Sequence, residues 1–362
     1  MNNLVYYLKR FDWILIISAL LLVAIGLLSI YSSSIGRDNF LNFKKQMIFI
    51  VVGVVFMFLI SFIDWRLIKE NTALILIFYF LSIISLVGLF FFAPEIRGVK
   101  SWYKLGPFSL DPIEFTKIIL IILLAKYFSL RHVEMYRFRH IIFSGIYVLI
   151  PAVLVFFQPE IGSILTLLVL WLTVLIISGI KIRHFLVLVF CGLIVLALCW
   201  GFLLKDYQKE RVISFFMPYQ TLGLAWSQNQ AKIAIGSGGI LGQGIGKGSQ
   251  TQYGFLPEPQ TDFIFSAIAE EMGLAGILAI FVLFLILIWR IIKIALLSKN
   301  NFSRLFASGF SVVIISGFFI NIGINIGILP VVGVPLPLVS YGGSSLITVF
   351  MGMGILESIK AY

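Results

Sequence analysis

The sequence predicts an all-α polytopic membrane protein of ten transmembrane helices, with a long outward loop between helices 7 and 8. Three observations predict it. Of 362 residues, 60% are hydrophobic and only 12% charged, against roughly 45–50% apolar and about 25% charged in a soluble domain. Mean hydropathy over the whole chain is +1.07, so the apolar residues are spread throughout and a single membrane domain is expected over 1–362. Charge-free runs of 18 to 24 residues recur along it, each long enough for a hydrocarbon core about 30 Å thick. Ordinary cytosolic enzymes, DNA-binding proteins and disulfide-rich modules are excluded. The basic excess, 27 − 16 = +11, is read as loop anchoring at anionic lipid, with no nucleic-acid partner.

The first run, 13–36, follows Lys9 and Arg10 and ends in Tyr31-Ser32-Ser33-Ser34. It is too long for a signal-peptide core and lacks a persuasive cleavage site, so a retained first helix is expected. Runs 46–63 and 71–94 follow. The span at about 112–129 is anomalous, because Glu114 and Lys117 interrupt it and Lys126 stops it. It opens on Asp111-Pro112-Ile113-Glu114, with an acid at the cap and proline at the first helical position. Runs 141–159, 161–180, 185–204 and 272–289 are uninterrupted. Cys191 and Cys199 lie in one of them, about 80° apart around a helix, and read as small apolar side chains with no disulfide. His132, His140 and His184 occupy short polar connections, so no metal-ligand spacing exists. The stretch 305–356 exceeds one helix and is broken by Pro330, Pro335 and Pro337, which makes it two spans around a re-entrant or extracellular loop.

With the N-terminus inside, fifteen Lys and Arg residues fall in cytoplasmic segments and six in short outside loops, and five more occupy the long connection 205–262. Both termini are therefore expected in the cytoplasm. The long connections 94–111, 205–262 and 325–340 then face outward, and function should face outward with them.

Lys117 is hard to excuse structurally, because a cation in a first helical turn opposes the dipole. It lies within reach of an ion pair with Glu114 at membrane depth, either as part of a site or as a structural pair. Glu160, after Gln158-Pro159, opens the sixth span in the same manner. Arg97 to Lys104 interleaves cations with Trp102 and Tyr103, as a phosphate site or as an ordinary interfacial belt. The glycine-rich stretch from Gly236 to Gly248 fits neither dinucleotide-binding nor phosphate-loop spacing, and reads equally as a groove lining or a close-packed turn. The segment from Phe255 to Phe265 brings the long loop back to the membrane and ends on Asp262, a candidate base or a helix-start acid. Glu270 and Glu271 lie deeper, as partners for Arg or Lys or as part of the site.

Three strings carry a resemblance. They are Gln230 to Gly239, Phe255-Leu256-Pro257-Glu258 leading to Thr261-Asp262-Phe263-Ile264-Phe265, and Pro330 to Ser345. Across almost the whole chain the sequence resembles the SEDS family of bacterial cell-wall polymerases, most closely its rod-shape branch. The resemblance implies ten transmembrane helices and a processive peptidoglycan glycosyltransferase extending glycan strands from lipid II on the outer face of the bacterial cytoplasmic membrane. Asp262 matches the family's essential aspartate. Glu114 and Lys117 match its charged pair, and Arg97, Lys100, Arg211 and Lys232 match basic positions in outward loops. Glu258 belongs to the matched motif and is assigned to substrate binding. Asp111, Ser101 and Glu160 depart from the family's usual residues.

The chemistry is coherent with that implication. A donor with a pyrophosphate leaving group on an isoprenoid chain needs a membrane groove, cations for the diphosphate and a carboxylate to take the proton from the attacking hydroxyl. Because an α-linked donor gives a β-1,4 product, one displacement with one base suffices. A divalent cation, Mg2+ or Mn2+, is expected only at the diphosphate, without a dedicated protein motif. The chain shows no transpeptidase motif, so a class B penicillin-binding protein is the expected partner. The rival readings are a lipid flippase or transporter, a scaffold that recruits an enzyme, and the cell-division branch of the same family.

Overall fold

The computed structural model describes residues 10–95, 100–106, 108–130, 138–203, 209, 213 and 222–361. Helices α1 (Trp13–Gly36), α2 (Leu41–Ser61), the short α3 (Trp65–Glu70) and α4 (Thr72–Phe92) lead to an antiparallel hairpin of β1 (Tyr103–Leu105) and β2 (Phe108–Leu110). Next come α5 (Pro112–Ser129), α6 (Phe138–Phe157), α7 (Ile161–Ile177) and α8 (Ile182–Leu198). The remainder is α9 (Leu222–Ser237), the single turn α10 (Ser249–Gln252), α11 (Ile264–Leu297), α12 (Asn301–Asn325) and α13 (Gly343–Ala361).

Each charge-free run of the sequence lies on one of these helices. Capping side chains set several of the starts: Asp12, Asn71 and Asp111 accept hydrogen bonds from Leu15 N, Leu74 N and Ile113 N. Eight described helices are long and apolar enough to cross a membrane. Two more fall short for definite reasons: α5 carries Glu114, Lys117 and Lys126, and α7 has 17 residues. Both pack inside the bundle, α5 against α4, α12 and α13, and α7 against α6 and α12.

The core sits on α12 and α13, whose apolar windows are 72% and 78% buried. Small residues allow this, because without water to drive association, helices in lipid gain from close approach. Gly53 lies under the Phe350 ring and Gly354 against the Met57 carbonyl, where a Cβ would overlap, so α2 and α13 pack tightly together. On α12, Phe302, Phe306 and Phe310 recur every four residues and stack face to face, with Trp65 on the end. By contrast, the span that α8 opens buries none of its window. It is aliphatic and aromatic on every face, as suits a helix surrounded by lipid.

Two features depart from the sequence expectation. The connection 94–111 contains the hairpin, held down by a Tyr103 hydroxyl that donates to Ser85 O (2.7 Å). The connection 205–262 is not all loop, since it holds α9 and α10. As expected, α11 opens just after Asp262, and it carries Glu270 and Glu271 buried in its interior, matched by hydrogen-bond donors.

Candidate functional site

Asp262 stands in the turn just before α11, partly exposed while its neighbours Gln260 and Phe263 are buried. The turn is fastened by its main chain. Three successive carbonyls are taken by four residues: Tyr341 N donates to Gln260 O (2.7 Å), Ser340 Oγ to Thr261 O (2.7 Å), and Asn321 and Asn325 Nδ2 to Asp262 O (3.1 and 2.8 Å). The Gln260 side chain is held as well, accepting from Asn42 Nδ2 and donating to Ser34 Oγ. Glu258 takes φ 42°, a left-handed conformation costly for a residue with a Cβ, and its carbonyl accepts from Thr261 N and Phe263 N. Its backbone therefore shapes the turn that presents Asp262.

The glycine-rich stretch is a close-packed turn rather than an open groove lining. Inside α11, Gly273 has φ 63° and ψ −158°, a conformation essentially reserved for glycine, and the helix breaks there. The break strands Glu270 O, Glu271 O, Leu274 N and Ala275 N, which would otherwise pair with one another. The turn after α9 completes all four: Gln243 N and Gly244 N donate to the two carbonyls, while Leu274 N and Ala275 N donate to Gly239 O and Ile240 O. A Cβ at Gly238 or Gly242 would overlap the α11 backbone, so the close approach requires glycine.

The two buried glutamates meet no cation among the described residues. Glu270 caps α10, accepting from Gln250 N (2.7 Å), Thr251 N (3.0 Å), Thr251 Oγ1 (2.7 Å) and Ser249 Oγ (3.3 Å). Glu271 accepts from Ser32 Oγ (2.5 Å) and Gln252 Nε2 (3.0 Å). Their expected role as partners of Arg or Lys is corrected: hydroxyls, an amide and main-chain N–H groups do the work.

Glu114 and Lys117 form the anticipated pair, Nζ to Oε1 2.8 Å, with both residues buried. Asp111 and Glu160 act electrostatically on the same lysine. Burial, with the neighbouring Glu160 and Glu114 carboxylates, pushes the Asp111 carboxyl well above its ordinary range. Ser163 Oγ donates to Glu160. The loop 331–342 and the first turn of α13 join this cluster to the Asp262 turn. Ser344 Oγ accepts from Asp111 N (2.8 Å), Val332 and Val334 pack on Gly162 beside Glu160, and Ser340 holds Thr261 O.

Of the basic candidates, Lys232 lies on α9 against Gly327, at the C-terminal end of α12. Its neighbour Ala231 shares a small apolar cluster with Phe263, the residue after Asp262. Lys100 stands at the approach to β1 and is partly exposed. Arg97 and Arg211 lie outside the described residues. Among the described residues no group of three or more His, Cys, Asp or Glu is arranged to hold a metal ion, so these side chains do not build a cage for Mg2+ or Mn2+. Sequence reasoning missed Asn321 and Asn325. Two amides one turn apart in an apolar span were the available signal, since buried amides in lipid require partners.

These features define a polytopic membrane protein whose carboxylate turn and buried ion pair are laced together at one end of the bundle. From residue 12 to 362 the chain matches the cell cycle protein family that unites FtsW, RodA and SpoVE, and it belongs to that family, the SEDS proteins. It is 37% identical to the peptidoglycan glycosyltransferase MrdB of Escherichia coli K12, over 97% of this chain and 94% of that protein. It is 35% identical to stage V sporulation protein E of Bacillus subtilis over 97% of each. Among solved structures, one titled for the coordination of polymerization and crosslinking by a peptidoglycan synthase complex superposes with a TM-score of 0.83 at 30% identity, covering 97% of both chains. The rod shape determining protein RodA of Thermus thermophilus gives 0.71 at 27% identity, covering 97% of this chain and 96% of that one.

Proposed function

We propose that this chain is a peptidoglycan glycosyltransferase that polymerises lipid II into glycan strands at the outer face of the bacterial cytoplasmic membrane, in the service of cell elongation and rod shape. The observation that carries this reading is the Asp262 turn, a partly exposed carboxylate on a main chain held by hydrogen bonds at three successive carbonyls. Asp262 takes the proton from the acceptor's 4-hydroxyl, which attacks the anomeric carbon as the diphosphate leaves, and a single displacement converts the α-linked donor to a β-linked product. No covalent sugar–protein intermediate is needed. Lys117, neutralised by Glu114 until charge builds nearby, and the loop cations Lys100, Lys232, Arg97 and Arg211 are the groups assigned to the substrate, with Glu258 shaping the turn. A divalent ion would enter on the oxygens of the diphosphate itself.

In this reading both termini lie in the cytoplasm and the protein works with a class B penicillin-binding protein, because a new strand must still be cross-linked. The orientation is supported by the cation count, and the partner by the relative solved within a synthase complex. A cysteine replacing the exposed Tyr253 should label from outside in intact cells; labelling only from the cytoplasmic side overturns the orientation. Co-purification from native membranes tests the partner, and consistent recovery of the protein alone with full polymerase activity counts against it.

Asparagine at position 262 keeps size and hydrogen bonding but removes basicity. Purified Asp262→Asn should insert and fold normally yet lose about 10²–10⁴ in rate, the contribution of a well-placed general base. Glu258→Gln should retain far more activity. Near-normal glycan formation from lipid II by Asp262→Asn would return that residue to a helix-start acid.

A further inference from the structure

We infer that Asn321 and Asn325 are positioning residues for polymerisation, fixing the main chain from which the Asp262 carboxylate is presented and so acting on the chemical step rather than on substrate binding. This rests on Asp262 as the base.

Both asparagines are fully buried, one turn apart on α12, so their side chains share a face. Their Nδ2 groups converge on one acceptor, Asp262 O, at 3.1 and 2.8 Å. A carbonyl offers two lone pairs, and both are used. The remaining valences are also filled. Asn321 Nδ2 donates to Val334 O (2.9 Å) and Asn325 Nδ2 to Asn321 O (2.8 Å), while Asn325 Oδ1 accepts from Ser266 N (3.1 Å) and Ser266 Oγ (2.6 Å). Asn325 thus grips α11 on both sides of its start, at the carbonyl just before it and at an N–H inside its first turn. Burying two amides is costly unless every donor and acceptor is met. Apolar packing would join α11 to α12 without that cost, as it does elsewhere along the pair. What apolar packing cannot do is fix one peptide to within about 0.5 Å, the tolerance a catalytic group demands.

The test compares Asn321→Ala, Asn325→Leu and Asp262→Asn as purified full-length proteins, measuring kcat and KM for lipid II together with melting temperature. Displacement of a reacting group by an ångström costs about 10²-fold, so each asparagine variant should lose about 10- to 100-fold in kcat. Its KM should stay within about twofold, since the substrate contacts are untouched. Unchanged kcat in folded asparagine variants, with Asp262→Asn inactive, overturns the positioning role and leaves Asp262 standing. A raised KM with kcat intact overturns it too. If Asp262→Asn itself polymerises normally, the base assignment fails on its own evidence. Should Asn325→Leu fail to fold, Asn321→Ser, which only shortens one donor, carries the same expectation of a loss in kcat alone.

Discussion

Lys117 has one ion-pair contact, 2.8 Å to Glu114, and its ammonium is buried in a part of the bundle with three carboxylates around it. Lys126, about two and a half turns along the same helix, instead donates to the Lys69 carbonyl at the opposite end. The two lysines therefore separate function from helix integrity. Lys117→Ala should reduce glycan synthesis by at least about tenfold, as expected when a buried charge loses its partner, while Lys126→Ala should leave it within about twofold. The charge-swapped pair, Glu114→Lys with Lys117→Glu, decides the meaning: wild-type synthesis by that protein would make the pair purely structural. At this scale the sequence was most legible where a charge interrupted an apolar run. Glu114, Lys117 and Asp262 stood out because ionisable groups at membrane depth are costly. Asn321 and Asn325 did not, because a neutral amide leaves no mark on a charge count, although its burial is nearly as demanding.

Among the elements, the apolar runs located the helices well, since a span long enough to cross lipid must bond its own backbone and has no other regular form available. The opening of α5 was legible to the residue from Asp111-Pro112. What escaped was structure whose stability comes from specific contacts. The polar helix α9 has no amphipathic period to announce it, because Gln228 holds it to the Ile324 and Leu329 carbonyls through one amide. The single turn α10 exists by virtue of the Glu270 carboxylate that caps it. Those same donors let α11 carry two glutamates in its interior. A count of charges treats two glutamates as a barrier, whereas a carboxylate that receives several hydrogen bonds is a tolerable tenant of a protein interior.

For the molecule as a whole, the end away from the Asp262 turn is tied by a charge network. Arg290 on α11 bonds both oxygens of Asp12, Lys360 on α13 approaches the same carboxylate at 3.2 Å, and Asp12 N donates to Glu357 (2.8 Å). Burial alone would raise the Asp12 carboxyl, but Arg290 and Lys360 outweigh it and hold the group below its ordinary 3.8. A carboxyl lowered in this way adds stability above its ordinary value and loses it as pH falls through the lowered one. The part of the melting temperature that Asp12 supplies, read as the difference between the wild type and Asp12→Asn, should therefore hold constant toward neutral pH and be lost only below about pH 4. Arg290→Met leaves a buried carboxylate without its main partner and should cost about 3–5 kcal/mol. The double change with Asp12→Asn should recover most of that loss, as should low pH, which protonates the stranded carboxylate; recovery by neither would show that Arg290 acts through packing alone.

The broken helix α11 has a consequence for how the protein is made. Its two halves leave four main-chain groups open at Gly273, and the partners for all four lie in residues 239–244. In hydrocarbon each open group costs several kcal/mol, so α11 keeps its break only while that segment is in place; without it the four groups would pair with one another and the helix would run straight through Gly273. The segment that completes it is synthesised earlier and is already present when α11 emerges. Order of synthesis and order of assembly thus coincide, and a chain that brings the glycine turn late, or with side chains on Gly238 or Gly242, would leave α11 straight, a misassembled span rather than a weakened enzyme.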